Sequence, residues 1–466
     1  MKSGRTAPRT RLLRNLSLGA LAVSALAALW QSYRVHRSVR ETHPPDNVPL
    51  PTTPHVSIIL PVRNEEANID ACLNSLLAQD YPDFDVTVID DGSTDATPRL
   101  LNKWKTRSIV GAPARGALPD PHFQVLPNEP ADPQGRSGSS VAGSHFQVHR
   151  VDNLPEGWAG KTHALHTGVT LTNGEWLLFT DADTCHAPQT LRRMLGHALL
   201  QRDDLLSMRT DLMTLIGPAM SLLMPMSEVL LALRVTPAEA SDPAFPLAFA
   251  FGQYMLLRRE AYLATGGYAA ASMRTTSIDD LALAEHFKWH GQRLEVVSGR
   301  GLVTNRQWTT WKSAVRGWRK GCYGEIVRSN LPLAGLPAGL ALLAFGLGPL
   351  FVLLYALCTG KVRRFSILFA CIALLAQIDA KRCFDREYDL AFHWSLAAPA
   401  GWVISGILLL DVARRILTGR GDDWKGRHLP KQEVYSLYES YQSPLHLSPR
   451  RAGIWPGWAF DRPATS

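Results

Sequence analysis

The chain has 466 residues, with 49 Lys and Arg against 41 Asp and Glu, a formal charge of +8. That length predicts two or three structural units; the basic residues are scattered, with no long run and no aromatic-interleaved stripe, so no nucleic-acid partner is expected, and the positive balance suits an anionic membrane surface or phosphate-bearing ligands. Six cysteines stand far apart with no CxxC pair, which argues against a zinc site and a disulfide scaffold and suits a reducing compartment.

Residues 12–33 hold an apolar stretch of membrane-spanning length, flanked by Arg9, Arg11 and Arg14 before it and by Arg34, Arg37 and Arg40 after it. No small-x-small cleavage site followed by a polar start stands out, so residues 1–40 are read as an anchor and not as a signal peptide. Residues 41–54 form a Pro- and His-rich linker. The run 55–62, HVSIILPV, reads as a buried strand ending at a Pro-containing turn. Residues 64–79 place Ile69, Cys72, Leu73, Leu76 and Leu77 at helical spacing. A second strand, 86–95, ends in acids and Gly; a second helix follows, with Thr97 as its N-cap and Pro98 at its first position. Strand, helix, strand, helix at this spacing predicts parallel βαβ units.

Residues 109–144 are rich in Gly, Pro, Ser and Ala and lack periodicity, which predicts a mobile insertion. The tetrapeptide HFQV stands at 122–125 and again at 145–148, as a local duplication would leave it. A helix is predicted at 162–174, a strand at 175–180 and a helix at 187–201. Residues 215–233 are apolar but broken by Pro218 and Pro225; an interfacial segment and a buried core helix fit equally. Towards the C-terminus, 331–357 and 391–410 are span-length, while 365–378 is short and runs into charged residues. Two spans and a doubtful third are therefore expected within 331–413, followed by a tail at 414–466; Trp394 and Trp402 suit an interface.

Ligands of an open parallel sheet bind outside the carboxyl ends of its strands. Three predicted strand ends carry polar residues: Arg63, Asn64, Glu65 and Glu66; Asp90, Asp91 and Asp95; and Asp181 with Asp183. Clustered carboxylates repel one another. A divalent cation and a ligand rich in hydrogen-bond donors would resolve that conflict, and two carboxylates from one short turn suit a hard cation such as Mg²⁺ or Mn²⁺. Any one of these acids alone could be a cap or turn residue, and Asp95 has that look.

The stretch VSIILPVRNEEANIDACLNSLLAQDYPDFDVTVIDDGSTDAT resembles the start of a family 2 glycosyltransferase of the GT-A fold, a Rossmann-like α/β fold with a mostly parallel sheet. TDAD at 180–183 is similar to that family's metal motif, and TTSIDDLALAEHFKWHG at 275–291 to its later acidic motif; the likeness covers about 55–325. The resemblance implies that Pro61, Arg63 and Glu65 line a nucleoside pocket, that Asp91 contacts the base, and that Asp181 meets the ribose or the metal. It further implies that Asp183 binds the cation and that Asp280, with Asp279 beside it, takes the proton of the acceptor hydroxyl. A carboxylate in reach of a weakly nucleophilic hydroxyl supplies that chemistry, and a cation neutralises the departing diphosphate.

The segment LPEGWAGKTHAL at 154–165 resembles transferases that act on carotenoids and hopanoid-type lipids; there Lys161 would hold a diphosphate oxygen. His163 and His166 are expected in ordinary surface or core roles, and His186 as a solvated turn residue. The family's Q-x-x-R-W motif is missing, which speaks against processive polysaccharide synthesis. In its place Trp308, Trp311, Arg316 and Trp318 lie on a predicted amphipathic helix, a candidate gate for acceptor and diphosphate at the headgroup level. The expected enzyme is a multi-pass protein of the cell membrane with its catalytic region in the cytoplasm. It would move a hexose from a nucleotide sugar, UDP-glucose by preference, to a hydroxylated carotenoid, with a hopanoid or glycerolipid next. The rival from another class is a non-catalytic lipid-binding protein on the same fold.

Overall fold

The computed structural model describes residues 8–40, 43–46, 48–109, 146–212, 217–306, 310–328, 334–424 and 427–429. The predicted insertion, apart from residue 109, and the tail beyond 429 lie outside them. In chain order the elements are α1 (Pro8–Ser38), β1 (Val56–Val62), α2 (Ile69–Leu77), β2 (Phe84–Asp90), α3 (Thr97–Ile109), β3 (Phe146–Arg150), α4 (Gly160–Leu171), β4 (Trp176–Phe179), β5 (Thr184–His186), α5 (Thr190–Gln201), β6 (Leu205–Arg209) and β7 (Asp211–Leu212). There follow α6 (Pro218–Arg234), α7 (Pro237–Ser241), β8 (Met255–Arg258), α8 (Arg259–Ala264), α9 (Asp279–Trp289), β9 (Leu294–Ser298), β10 (Val303–Asn305), α10 (Trp311–Arg328), α11 (Gly335–Thr359), α12 (Arg364–Glu387) and α13 (Ala398–Leu417).

Seven strands form one sheet in the order β3-β2-β1-β4-β8-β6-β9. Only β8 runs against its neighbours, so the expected mostly parallel α/β sheet is observed. The reason is visible in β1 and β2: Ile58, Ile59 and Leu60, and Val86, Val88 and Ile89, are all fully buried, as strands covered on both faces must be. Successive residues enter opposite cores. Ile58 and Leu60 pack with α2 and α5 residues such as Leu73 and Met194, and Ile59 packs with Leu165 of α4 and Phe287 of α9. Each such side chain contributes about 1.5–3 kcal/mol relative to exposure.

The elements differ from the sequence expectation at their ends. α2 begins at Ile69, not 64, because residues 64–68 form a turn with Asn64 at φ +53° and the Asn68 amide donating to the Glu65 carbonyl at 3.0 Å. β2 ends at Asp90, which leaves 91–95 as a polar loop. The second HFQV copy begins the edge strand β3, which the sequence did not reveal.

Residues 218–234 form α6, with Pro225 inside the helix. Met220, Leu223, Met224, Met226, Val229 and Ala232 are buried against α1, α10, α12 and α13. The buried-helix alternative therefore describes this segment, and the surface-lying one does not.

The doubtful segment at 365–378 is part of the longer helix α12. It lies beside α1, where Ala25 and Ala28 meet Ala373 and Ala376. The partner offset is 347 at both Ser32–Asp379 and His36–Cys383, so the two helices run parallel. Two helices among the described residues, Gly335–Thr359 and Phe392–Leu417, are long and apolar enough to cross a membrane. They pack closely because Gly339 and Gly406 face each other: a Cβ on Gly406 would stand 2.8 Å from the Gly339 carbonyl oxygen.

Candidate active site

Because β1, β2 and β4 run parallel, their carboxyl ends share one edge, with Val62 opposite Asp90. Pro61 lies past the last β1–β4 pair, Ile59 with Phe179, at the mouth of the sheet. The polar loops there hold each other. The Asn64 amide donates to Ser93 Oγ at 3.0 Å, and the Asn64 side-chain oxygen accepts from the Thr94 amide at 2.8 Å. The Glu65 amide donates to Thr97 Oγ1 at 2.8 Å.

Arg63 donates to the Asp91 carbonyl and lies 3.9 Å from the Asp91 carboxylate. Asp90 has a structural role: it accepts from the Ser93 amide at 2.9 Å and from Arg150 at 2.7 Å. Asp95 is a turn residue as expected, accepting from the Thr97 amide at 2.9 Å and the Glu66 amide at 3.2 Å. Burial pushes its carboxyl up, but these hydrogen bonds outweigh it and hold it below the usual range.

The second half of the site joins distant segments. α9 opens on Asp279 and Asp280, where acids meet the positive end of the helix. Lys161, at the start of α4, places its ammonium 2.8 Å from Asp181 and 3.1 Å from Asp279. Burial pulls the Lys161 ammonium down. The charges of Asp181, Asp279 and Asp280 outweigh that and hold it well above the usual lysine range.

Asp280 accepts from the Gly252 amide at 3.0 Å and from the Leu281 amide at 2.8 Å. Burial and the neighbouring Asp279 charge raise its pKa. Gly252 is needed here: a Cβ would come 3.1 Å from the Asp280 carboxylate and 3.3 Å from Lys161 Nζ. Sequence reasoning found neither Gly252 nor Lys320 of α10, whose ammonium is pulled down by burial and lifted by Asp279 and Asp280.

The DAD turn leads directly into β5, and β5 pairs with β10 in a small sheet. The Arg306 amide thereby donates to the Asp183 carbonyl at 2.8 Å, which ties the DAD turn to the segment entering α10. Hard carboxylate oxygens at Asp181 and Asp183 suit a divalent cation that takes its other ligands from water and phosphate. Among the described residues, the Asp, Glu, His and Cys groups whose ligand atoms all lie within 4.8 Å are elsewhere: His197–Asp203–Glu295 and His36–Asp379–Cys383.

The model of the family described as Glycosyl transferase family 2 matches residues 57–117 and 142–263, the stretch that carries β1 to β4 and the DAD turn. Over those residues the chain is similar to family 2 glycosyltransferases. Its seven-stranded, mostly parallel sheet is the α/β arrangement expected from the resemblance to the GT-A fold. The chain is similar to 4,4'-diaponeurosporenoate glycosyltransferase of Staphylococcus aureus strain USA300, 26% identical over 283 residues, 57% of this chain and 60% of that protein. It thus spans about three fifths of the length of the curated relatives it matches. Among solved structures, a mannosyltransferase from Pyrobaculum calidifontis in complex with GDP-Man and Mn²⁺ superimposes with a TM-score of 0.48 at 18% identity, covering 86% of this chain and 99% of that one. S. aureus TarS 1–349 superimposes with a TM-score of 0.36 at 15% identity, covering 79% and 92%.

Two further expectations are modified by the structure, and one is met. His186 is not a solvated turn residue. It is buried, within 3.1 Å of Thr180 Oγ1 and 3.0 Å of Thr184 Oγ1, and burial pushes its pKa down to about 3, so it is neutral. His163 and His166 lie against Trp158, edge-on and stacked, with Arg274 over the same ring.

The proposed gate divides. Trp311 and Arg316 are exposed, while Trp318 is 4% exposed and packs with Met220, Leu223 and Leu408. Seven residues, about 10 Å of helix, separate Trp311 from Trp318. That distance carries Trp318 under α6 and α13, where protein covers it. Trp308 lies outside the described residues.

Proposed function

We propose that this chain is an inverting glycosyltransferase of the cell membrane that moves a hexose from a nucleotide sugar, UDP-glucose by preference, to an apolar acceptor dissolved in the bilayer. The observation that carries this reading is the single edge on which Arg63, Asp91, Lys161, Asp181, Asp279 and Asp280 meet. Pro61, Arg63, Glu65 and Asp91 would bind the nucleoside. Lys161, held by Asp181 and Asp279, is placed to receive a diphosphate oxygen. Asp280, its carboxylate fixed by the Gly252 and Leu281 amides, would accept the acceptor's proton. Its raised pKa makes it a stronger base than an exposed aspartate. A divalent cation, Mg²⁺ or Mn²⁺, held by Asp183 and Asp181, would neutralise charge on the leaving diphosphate.

Membrane residence is supported by α11. Only 11% of its apolar stretch is buried, against 50% for Phe392–Leu417, and Leu340, Leu347, Phe351, Leu354 and Leu357 are all exposed. A core helix of a soluble protein would be covered; an uncovered one this apolar needs lipid. The donor is a charged cytoplasmic metabolite, so the catalytic region would face the cytoplasm.

A second reading concerns the acceptor group. The S. aureus relative is named for diaponeurosporenoate, a carboxylate. A carboxylate is already ionised at neutral pH and needs no base, whereas a carotenoid hydroxyl does. Asp280→Asn separates the two. With detergent-purified protein, UDP-glucose, Mn²⁺ and each acceptor, UDP release from a hydroxyl acceptor should fall by about 10²–10⁴-fold. Transfer to a carboxylate should fall far less, and nucleotide-sugar binding should hold in both. Full activity of Asp280→Asn with a hydroxyl acceptor would refute the base assignment. Undiminished activity of Asp183→Asn, or in excess EDTA, would refute the cation.

A further inference from the structure

We propose that His36, Asp379 and Cys383 form a zinc site that fastens α1 to α12. The scattered cysteines of the sequence argue against zinc, because no two stand close enough to chelate. The structure supplies the ligands differently, from two facing helices. Ser32 and His36 lie one turn apart on α1, and Asp379 and Cys383 one turn apart on α12, so each helix points two side chains at the other. His36 Nε2 is 2.9 Å from Asp379 Oδ2, and Cys383 Sγ is 3.5 Å from both His36 ring nitrogens.

A thiolate, an imidazole and a carboxylate are the three zinc donor types. With Zn–S about 2.3 Å and Zn–N about 2.0–2.1 Å, a tetrahedral ion sets sulfur and nitrogen about 3.5 Å apart. That is the separation found here. The nitrogen–oxygen pair would open by a few tenths of an ångström, and its members, about half exposed, are able to move. Ser32 Oγ, 2.5 Å from Asp379 Oδ2, would orient the carboxylate, and water would take the fourth position.

The site lies where α1 hands over to the linker. Two residues earlier, Arg34 pairs with Glu239 of α7 and donates to the Ala232 carbonyl of α6 at 3.0 Å. A metal at His36 would therefore lock the end of α1 to α12 as Arg34 locks it to the catalytic region. Binding replaces the Cys383 thiol proton by Zn²⁺ and releases that proton to solvent.

The test uses the full-length protein in detergent, stripped with a chelator. Titration with Co²⁺ should give about one equivalent of a thiolate-to-cobalt charge-transfer band, displaced by Zn²⁺. Cys383→Ser should abolish the band, and His36→Gln and Asp379→Asn should each weaken binding at least tenfold. The His197–Asp203–Glu295 group contains no cysteine and cannot give this band. A band that survives Cys383→Ser, or no band at all, would overturn the proposal. A measurement on the unaltered protein guards against a variant that fails to fold. Zn²⁺ should slow N-ethylmaleimide modification of Cys383 at least tenfold and leave the exposed Cys358 unaffected. Unchanged Cys383 reactivity would also overturn it.

Discussion

Gly252 contributes no side chain, yet its amide holds the proposed base. Gly252→Ala would push a methyl group against Asp280 and Lys161 together. Turnover should drop at least tenfold while thermal unfolding shifts little, as UDP release and a melting curve on the same preparation would show. Asp203 offers a pH test away from the site. Burial and the Glu295 charge beside it raise its carboxyl towards about 8, while His197 faces Glu295 at 2.9 Å. Below the ordinary carboxylate range both folded and unfolded chains hold the proton, and this stabilisation is complete. As pH rises towards 8 the unfolded chain releases the proton first, so the contribution is lost. Unfolding measured from pH 5 to pH 8 should show a decline that Asp203→Asn lessens. At this scale the motifs singled out Asp181, Asp279 and Asp280, and the structure brings all three to Lys161. Gly252 and Lys320 were invisible, since a lone glycine and one lysine in a basic helix carry no local signal; only the chain's path brings them to Asp280.

Among the elements, α10 shows how one amphipathic pattern hides two environments. Trp311 and Trp318 share a helical face, but only Trp318 is roofed by α6 and α13. Trp318→Ala should cost about 3–5 kcal/mol as a core truncation, read as a lower melting temperature. Trp311→Ala should leave stability within about 0.5 kcal/mol and lower activity on a bilayer acceptor more than nucleotide-sugar binding. Equal loss of the two activities would leave Trp311 without a role towards the acceptor. The βαβ units were legible because buried parallel strands are continuous apolar runs. β3 and the short β5, β7 and β10 were not, because strands of two or three residues have no period to detect and β3 lies half-exposed at the sheet edge. The fate of 215–233 was equally open in sequence: an apolar helix is the same string whether lipid or protein covers it.

The whole molecule joins a seven-stranded sheet to a helical base in which α11 turns an apolar face outward. Alkaline carbonate should leave the chain in the membrane pellet, and release into the supernatant would remove the bilayer from the proposal. Length and hydropathy made the two long apolar helices α11 and α13 legible, but not the partnership of α1 with α12, which no local pattern records. That partnership has a consequence in time. Ala28 packs against Ala373 and Ala376, residues made some 345 positions later. At about 5–20 residues per second, the ribosome needs roughly 20–70 s to supply them. For that interval the first helix to be made waits with its alanine seam uncovered, and the sheet must fold while α1 is held by its contacts with α6 and α7 and not by α12. Synthesis halted before α12 should yield a folded sheet domain with α1 held through α6 and α7 alone of these partners, a species that protease should cut in the linker faster than the finished chain.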